Sequence, residues 1–106
     1  MSLHLITRIA AVLPDGLVRY RQTPKFTKAN VPEALLAAHS VKAGVWELLR
    51  VLRGRVRYCL DGEIPKARLV EQGGTTIIEP DVTHHVELLD DDSAFLVEFQ
   101  RAKAAP

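Results

Sequence analysis

Residues 44–54 read GVWELLRVLRG, and strict alternation splits them into two faces. Val45, Glu47, Leu49 and Val51 share one face; Trp46, Leu48, Arg50 and Leu52 share the other. The pattern predicts a strand with one carboxylate on the face that otherwise calls for burial. A buried carboxylate ordinarily has a cation or a metal beside it. The competing reading puts Glu47 at the wet end of the strand, paired with a nearby Lys or Arg. Arg50 interrupts the second face, which predicts that this face is only half covered.

The same alternation recurs on both sides of this strand. Residues 17–23 read as a strand that Pro24 confines to an edge or an end. Residues 27–32 are loop, and residues 33–38 form one or two helical turns after Pro32 or run extended into His39. Gly54 marks a bend or bulge. Beyond it, residues 55–60 set Arg55, Arg57 and Cys59 against Val56, Tyr58 and Leu60. Asp61-Gly62 is a two-residue hairpin signal. Strands are predicted over 67–71, 75–79, 84–89 and 94–100, separated by Gly73-Gly74, Pro80-Asp81 and the acidic turn 90–92. Residues 3–13 fit a strand or a short helix equally, and residues 101–106 read as a frayed tail. Short strands, frequent turns and no long helix predict an all-β sandwich or barrel.

Composition narrows the function classes. A chain of 106 residues with 47% hydrophobic and 25% charged residues is sized for one domain with one core. The net charge of +1 gives no reason to expect nucleic acid as the partner. The Arg53, Arg55, Arg57 stripe is therefore read as a solvated strand face. Cys59 is the single cysteine, so no intramolecular disulfide forms, which fits a reducing cytoplasm. No run approaches the length of a membrane helix, and the N-terminus has no signal-peptide pattern.

The candidate chemistry lies in the histidines. His4 falls in the undecided N-terminal stretch. His84 shares parity with Val86 and Leu88 and is expected to face the core; His85 shares parity with Glu87 and is expected to face water. Two imidazoles and a carboxylate suit zinc, iron, manganese or nickel. His39, Glu47 and His84 are the expected metal ligands. Hydrogen-bonded packing of a core-facing histidine is the plainer alternative.

Glu47 followed at seven residues by Gly54, with Val51-Leu52-Arg53-Gly54 between, resembles the second half of the first cupin motif. The stretch from Gly73-Gly74 through Glu79-Pro80-Asp81-Val82-Thr83-His84 resembles the second. A wider series narrows the likeness. It comprises Leu13-Pro14-Asp15-Gly16-Leu17, Tyr20, Thr23-Pro24, Phe26-Thr27, Val31-Pro32, Leu35-Leu36, His39-Ser40, Lys42 through Trp46, and Val97-Glu98-Phe99. Together these resemble the TehB/YeaR-like cupin family, a tellurite-resistance-related group of unknown function.

The resemblance implies a small single-domain cupin, a double-stranded β-helix or jelly-roll barrel spanning residues 13–101. Residues 1–12 would be an N-terminal extension packed on it, and residues 102–106 a frayed tail. It also implies a homodimer, for which residues 17–23 offer an edge strand, and a link to tellurite, oxyanion or nitrosative stress. Some relatives carry this domain ahead of a methyltransferase; with no Gly-rich nucleotide loop here, methyl transfer is not expected.

The chain departs from the general motif at three places. His39 is one residue out of register for the first histidine, and Lys42 falls near the second. Asp81 or Val82 replaces the second motif's glycine, and counting strictly from Pro80 selects His85 over His84. Three functional readings follow. One is a barrel holding a divalent transition metal that acts on or senses a small molecule, with catalysis left open. Another is a non-catalytic module binding a small anion through Lys42, walled by Trp46 and Phe99, with Glu98 beside them. The third is a purely structural or partner-binding barrel whose polar interior residues satisfy one another.

Overall fold

The computed structural model describes residues 12–103. Nine strands and one helical turn occur among them: β1 (Leu17–Gln22), β2 (Phe26–Thr27), α1 (Glu33–Leu36), β3 (His39–Ser40), β4 (Trp46–Arg53), β5 (Arg55–Leu60), β6 (Lys66–Glu71), β7 (Thr75–Ile78), β8 (Thr83–Leu88) and β9 (Ala94–Ala102). The strands form two antiparallel sheets. One is ordered β1-β9-β4-β7, with β2 also pairing β9; the other is ordered β3-β8-β5-β6. The domain is single, small and all-β. No described helix is long and apolar enough to cross a membrane.

The alternation seen in the sequence decides what each sheet buries. In β4, Glu47, Leu49 and Val51 are buried, opposite Phe99, Val97 and Phe95 of β9. In the second sheet Val56, Tyr58 and Leu60 of β5 lie beside Leu88, Val86 and His84 of β8. Leu49, Val51, Phe95, Val56 and Tyr58 are at most 1% exposed, and they join into one core cluster between the sheets. The other face of β4 is half covered: Trp46 and Leu48 are partly buried, Arg50 and Leu52 exposed.

Gly54 lets the chain leave one sheet for the other. Its φ is +66°, a left-handed conformation that side chains resist, and an added Cβ would come within 2.8 Å of Ser93 Oγ. Ser93 is fully buried at that corner. Its hydroxyl donates to Arg55 O (2.7 Å) and accepts from Asp90 N (3.0 Å) and Arg55 N (3.3 Å). This one hydroxyl stitches the β4–β5 crossing to the β8–β9 crossing.

Two expectations change. Asp61-Gly62 does not close a two-residue hairpin, because β5 and β6 pair last at Leu60 and Lys66, leaving residues 61–65 as the connection. The Asp61 N–H bonds Thr83 O at 2.8 Å, so this residue still pairs toward β8. Strand β9 runs through Arg101 and Ala102, which pair with Val18 and Leu17, so part of the expected tail is sheet. Of the two alternatives for residues 33–39, the structure takes one helical turn, α1, and then runs extended through His39 and Ser40 as an edge strand. His4 and residues 1–11 of the expected N-terminal extension lie outside the described residues. The arginine stripe is a solvated face: Arg55 holds Asp90 with two hydrogen bonds (3.0 and 2.7 Å), and Arg57 holds Glu87 (2.7 Å).

Candidate functional site

Strand parity and sheet order carry a set of polar groups into the space between the sheets. His84 faces inward with Val86 and is 1% exposed, whereas His85 faces out. The residue in the left-handed region before it is Asp81, with φ +63°.

His39 lies directly across from His84, with ring centroids 4.1 Å apart. In each ring Nδ1 meets a backbone carbonyl, Ala37 O at 3.0 Å for His39 and Val82 O at 3.1 Å for His84. A carbonyl only accepts, so both rings carry the proton on Nδ1 and keep the Nε2 lone pair free. Burial, aided by the neighbouring His39, lowers the His84 pKa to about 4, so it stays neutral at physiological pH. The Tyr58 ring stands 5.7 Å from His84. Its hydroxyl is held above its ordinary pKa by burial first, and then by Glu79 and Glu47.

Glu47 reaches the interior from the opposite sheet, between Ile78 and Phe99. It is 7% exposed, and desolvation alone raises its pKa from 4.5 to about 7. It makes no hydrogen bond or ion pair with another described residue. The carboxyl lines a cavity of about 240 Å³ together with Lys42, Arg21, Tyr20, Val45 and Phe99. Arg21 sits 5.3 Å over the Phe99 ring, and Arg101 sits 4.2 Å over Tyr20. The cavity therefore has an apolar, aromatic rim, two cations and one carboxyl that is half protonated near neutrality.

The sequence-expected residues divide accordingly. Lys42 and Phe99 line the cavity beside Glu47, and His39 joins His84. Trp46 and Glu98 do not line it. They occupy the opposite face of their sheet, Trp46 across from Gln100 and Glu98 in an ion pair with Arg50, with Arg19 at 3.7 Å. The physical reason is parity, since each stands one residue from an inward-facing neighbour.

The fit to a metal is partial. The two histidines present free Nε2 atoms. However, the one described group of three whose ligand atoms all lie within 4.8 Å of one another is Cys59, His85 and Glu87, so His39, Glu47 and His84 do not close to that distance. Sequence reasoning missed Arg21, Tyr20 and Tyr58. The parity of Tyr58 with Val56 and Leu60 was the available signal; Arg21 and Tyr20 depended on the β1–β9 pairing.

A small two-sheet domain with a polar cavity between its sheets is the class these features define. The TehB-like domain model matches residues 21–97, and the chain belongs to that family. It is 31% identical over 84 residues to the probable S-adenosyl-L-methionine-dependent methyltransferase TehB of Haemophilus influenzae, a match covering 76% of this chain and 29% of that protein. The chain thus matches less than a third of the methyltransferase's length. It is 26% identical over 95 residues to the uncharacterized protein YeaR of Escherichia coli K12, covering 82% of this chain and 80% of YeaR. A crystal structure of an Escherichia coli K12 protein superposes with a TM-score of 0.83 at 26% identity, over 90% of this chain and all of that one. The crystal structure of Haemophilus influenzae TehB superposes with a TM-score of 0.75 at 28% identity, over 83% of this chain and 32% of that one.

Proposed function

We propose that this protein is a cupin-type jelly-roll barrel that binds a small oxyanion or carboxylate in the cavity beneath Lys42 and Arg21. The strand orders β1-β9-β4-β7 and β3-β8-β5-β6 support the jelly-roll reading, because interleaved Greek keys place strands distant in sequence side by side. The observation that carries the ligand reading is Glu47. It is buried without a partner among the described residues, in a cavity that two cations also line. Lys42 and Arg21 supply the charge for an anion, and Glu47, half protonated near neutrality, donates a hydrogen bond to it in its acid form or takes a ligand's proton in its ionised form. This chemistry suits the oxyanion-related role implied by the family resemblance.

Calorimetry with phosphate, sulfate, selenite and tellurite tests it. The wild type is expected to bind at least one of them, with affinity falling about tenfold or more on Lys42→Ala, since a charge-assisted bond contributes roughly 1.5–3 kcal/mol. No binding by the wild type removes the reading.

The preset His39–His84 pair favours a second reading, a divalent transition metal held by their two Nε2 atoms with Glu47 as a further ligand. Such a metal would supply a Lewis acid beside the anion site. Calorimetry with zinc, manganese, nickel and anaerobic ferrous iron, repeated on His84→Ala and Glu47→Gln, separates the two readings. A homodimer paired through β1, where Val18 and Tyr20 are exposed on an edge strand, belongs to the same proposal and is read by sedimentation mass.

A further inference from the structure

We propose a zinc-type metal site on the outer face of the second sheet, formed by Cys59, His85 and Glu87 and separate from the interior cavity. Cys59 and His85 are direct cross-strand partners, and Glu87 is the next residue of β8 on the same face. The three ligand atoms all lie within 4.8 Å of one another. Tetrahedral zinc bonds of ~2.0–2.3 Å set ligand atoms ~3.3–3.8 Å apart. His85 Nε2 and Glu87 Oε2 already stand 3.7 Å apart.

The surroundings orient these atoms. His85 Nδ1 donates to Asp61 Oδ2 at 2.7 Å, so in the neutral ring that a metal binds Nε2 is the lone-pair nitrogen, on the side of Glu87. A metal-binding histidine almost always has such a carboxylate or carbonyl on its other nitrogen. Arg57 bonds Glu87 Oε1 at 2.7 Å and leaves Oε2 for the centre. Cys59 and His85 are half-buried, open enough for an ion to enter.

Thiolate, imidazole and carboxylate together suit Zn²⁺ among the common divalent ions. Binding replaces the Cys59 S–H proton by the metal and passes that proton to the buffer. Three protein ligands leave a fourth position for water or an exogenous ligand. The ion would also pin β5 to β8 near the end where His84 enters the interior.

Titration of the untagged, metal-free full chain with Co²⁺ tests the site. One equivalent is expected to bind with thiolate-to-cobalt charge-transfer absorption in the near ultraviolet, displaced by Zn²⁺. That absorption should vanish in Cys59→Ser, and affinity should fall by roughly ten- to a hundred-fold in Asp61→Asn. His85→Ala and Glu87→Gln should each weaken binding at least as much, while His39→Ala and Glu47→Gln leave the absorption unchanged. All four outer positions are surface or half-buried, and circular dichroism checks that each variant remains folded. Absence of the sulfur absorption in the wild type overturns the site, as does its loss in His39→Ala or Glu47→Gln. An unchanged affinity in both His85→Ala and Glu87→Gln would reduce the cluster to an ordinary hydrogen-bonded strand face.

Discussion

His84 and His85 are neighbours in the chain and stand on opposite faces of one strand, and their environments differ in kind. His84 is buried against His39 and Tyr58, held neutral by desolvation. His85 lies among Asp61, Glu87, Arg57 and Cys59 on a face where the charges are paired and partly hydrated. The interior set includes Glu47, which has no partner among the described residues and carries a pKa near 7 from burial alone. Polar groups outside are held by one another; polar groups inside are held by the fold. That distinction says where strength and where chemistry reside: the hydrophobic core bears the stability, and it also imposes the unusual protonation states at the cavity.

The largest effect should come from the core. Phe95 is fully buried, edge-on to Phe26 at 5.6 Å. Phe95→Ala should lower stability by ~3–5 kcal/mol in urea unfolding.

Next comes Glu47. Its folded pKa of about 7 exceeds the ordinary 4.5, so in that interval the folded state binds more protons than the unfolded chain. Stability from this group is present below pH 4.5 and is lost as pH rises to about 7, by on the order of 3 kcal/mol. His84 has the opposite sign: its folded pKa of about 4 lies below 6.5, so its contribution grows as pH rises from 4 to 6.5. In metal-free protein the two slopes offset one another between about 4.5 and 6.5. Glu47→Gln should remove the loss between pH 6.5 and about 7 and steepen the gain from pH 4.5 to 6.5. An unchanged profile would place Glu47 in a wetter site than its burial implies.

Smaller effects sharpen the contrast. The Thr76 hydroxyl is buried with no hydrogen-bond partner among the described residues. Thr76→Val should raise stability by ~1 kcal/mol, read as a higher urea midpoint with an unchanged slope. On the outer face, Arg57→Ala should cost less than ~1 kcal/mol and less still at high salt, as expected for an exposed pair. A loss of ~3 kcal/mol there would mean that the outer network carries weight comparable to a core side chain.

Much of the site was legible as parity. Alternation placed Glu47 and His84 inward, His85 outward and Arg50 on a half-covered face, because a strand's side-chain period of two is local geometry. The same rule, applied to Trp46 and Glu98, already set them one residue away from the inward positions 45, 47, 97 and 99. Helical and turn signals near Pro32 and Gly54 were also local, as was the edge position of the strand before Pro24.

What the chain could not disclose by itself was pairing between distant strands. The His39–His84 contact spans 45 positions, and the Cys59–His85 contact spans 26. Both depend on which strand lies beside β8, a choice made by packing two sheets over a shared core. Asp61 shows the limit most plainly. Its local sequence calls for a hairpin turn, yet its backbone bonds Thr83 and its carboxylate holds His85. Local periodicity determined which side chains face in; only the closing of one sheet over the other decided which of them meet.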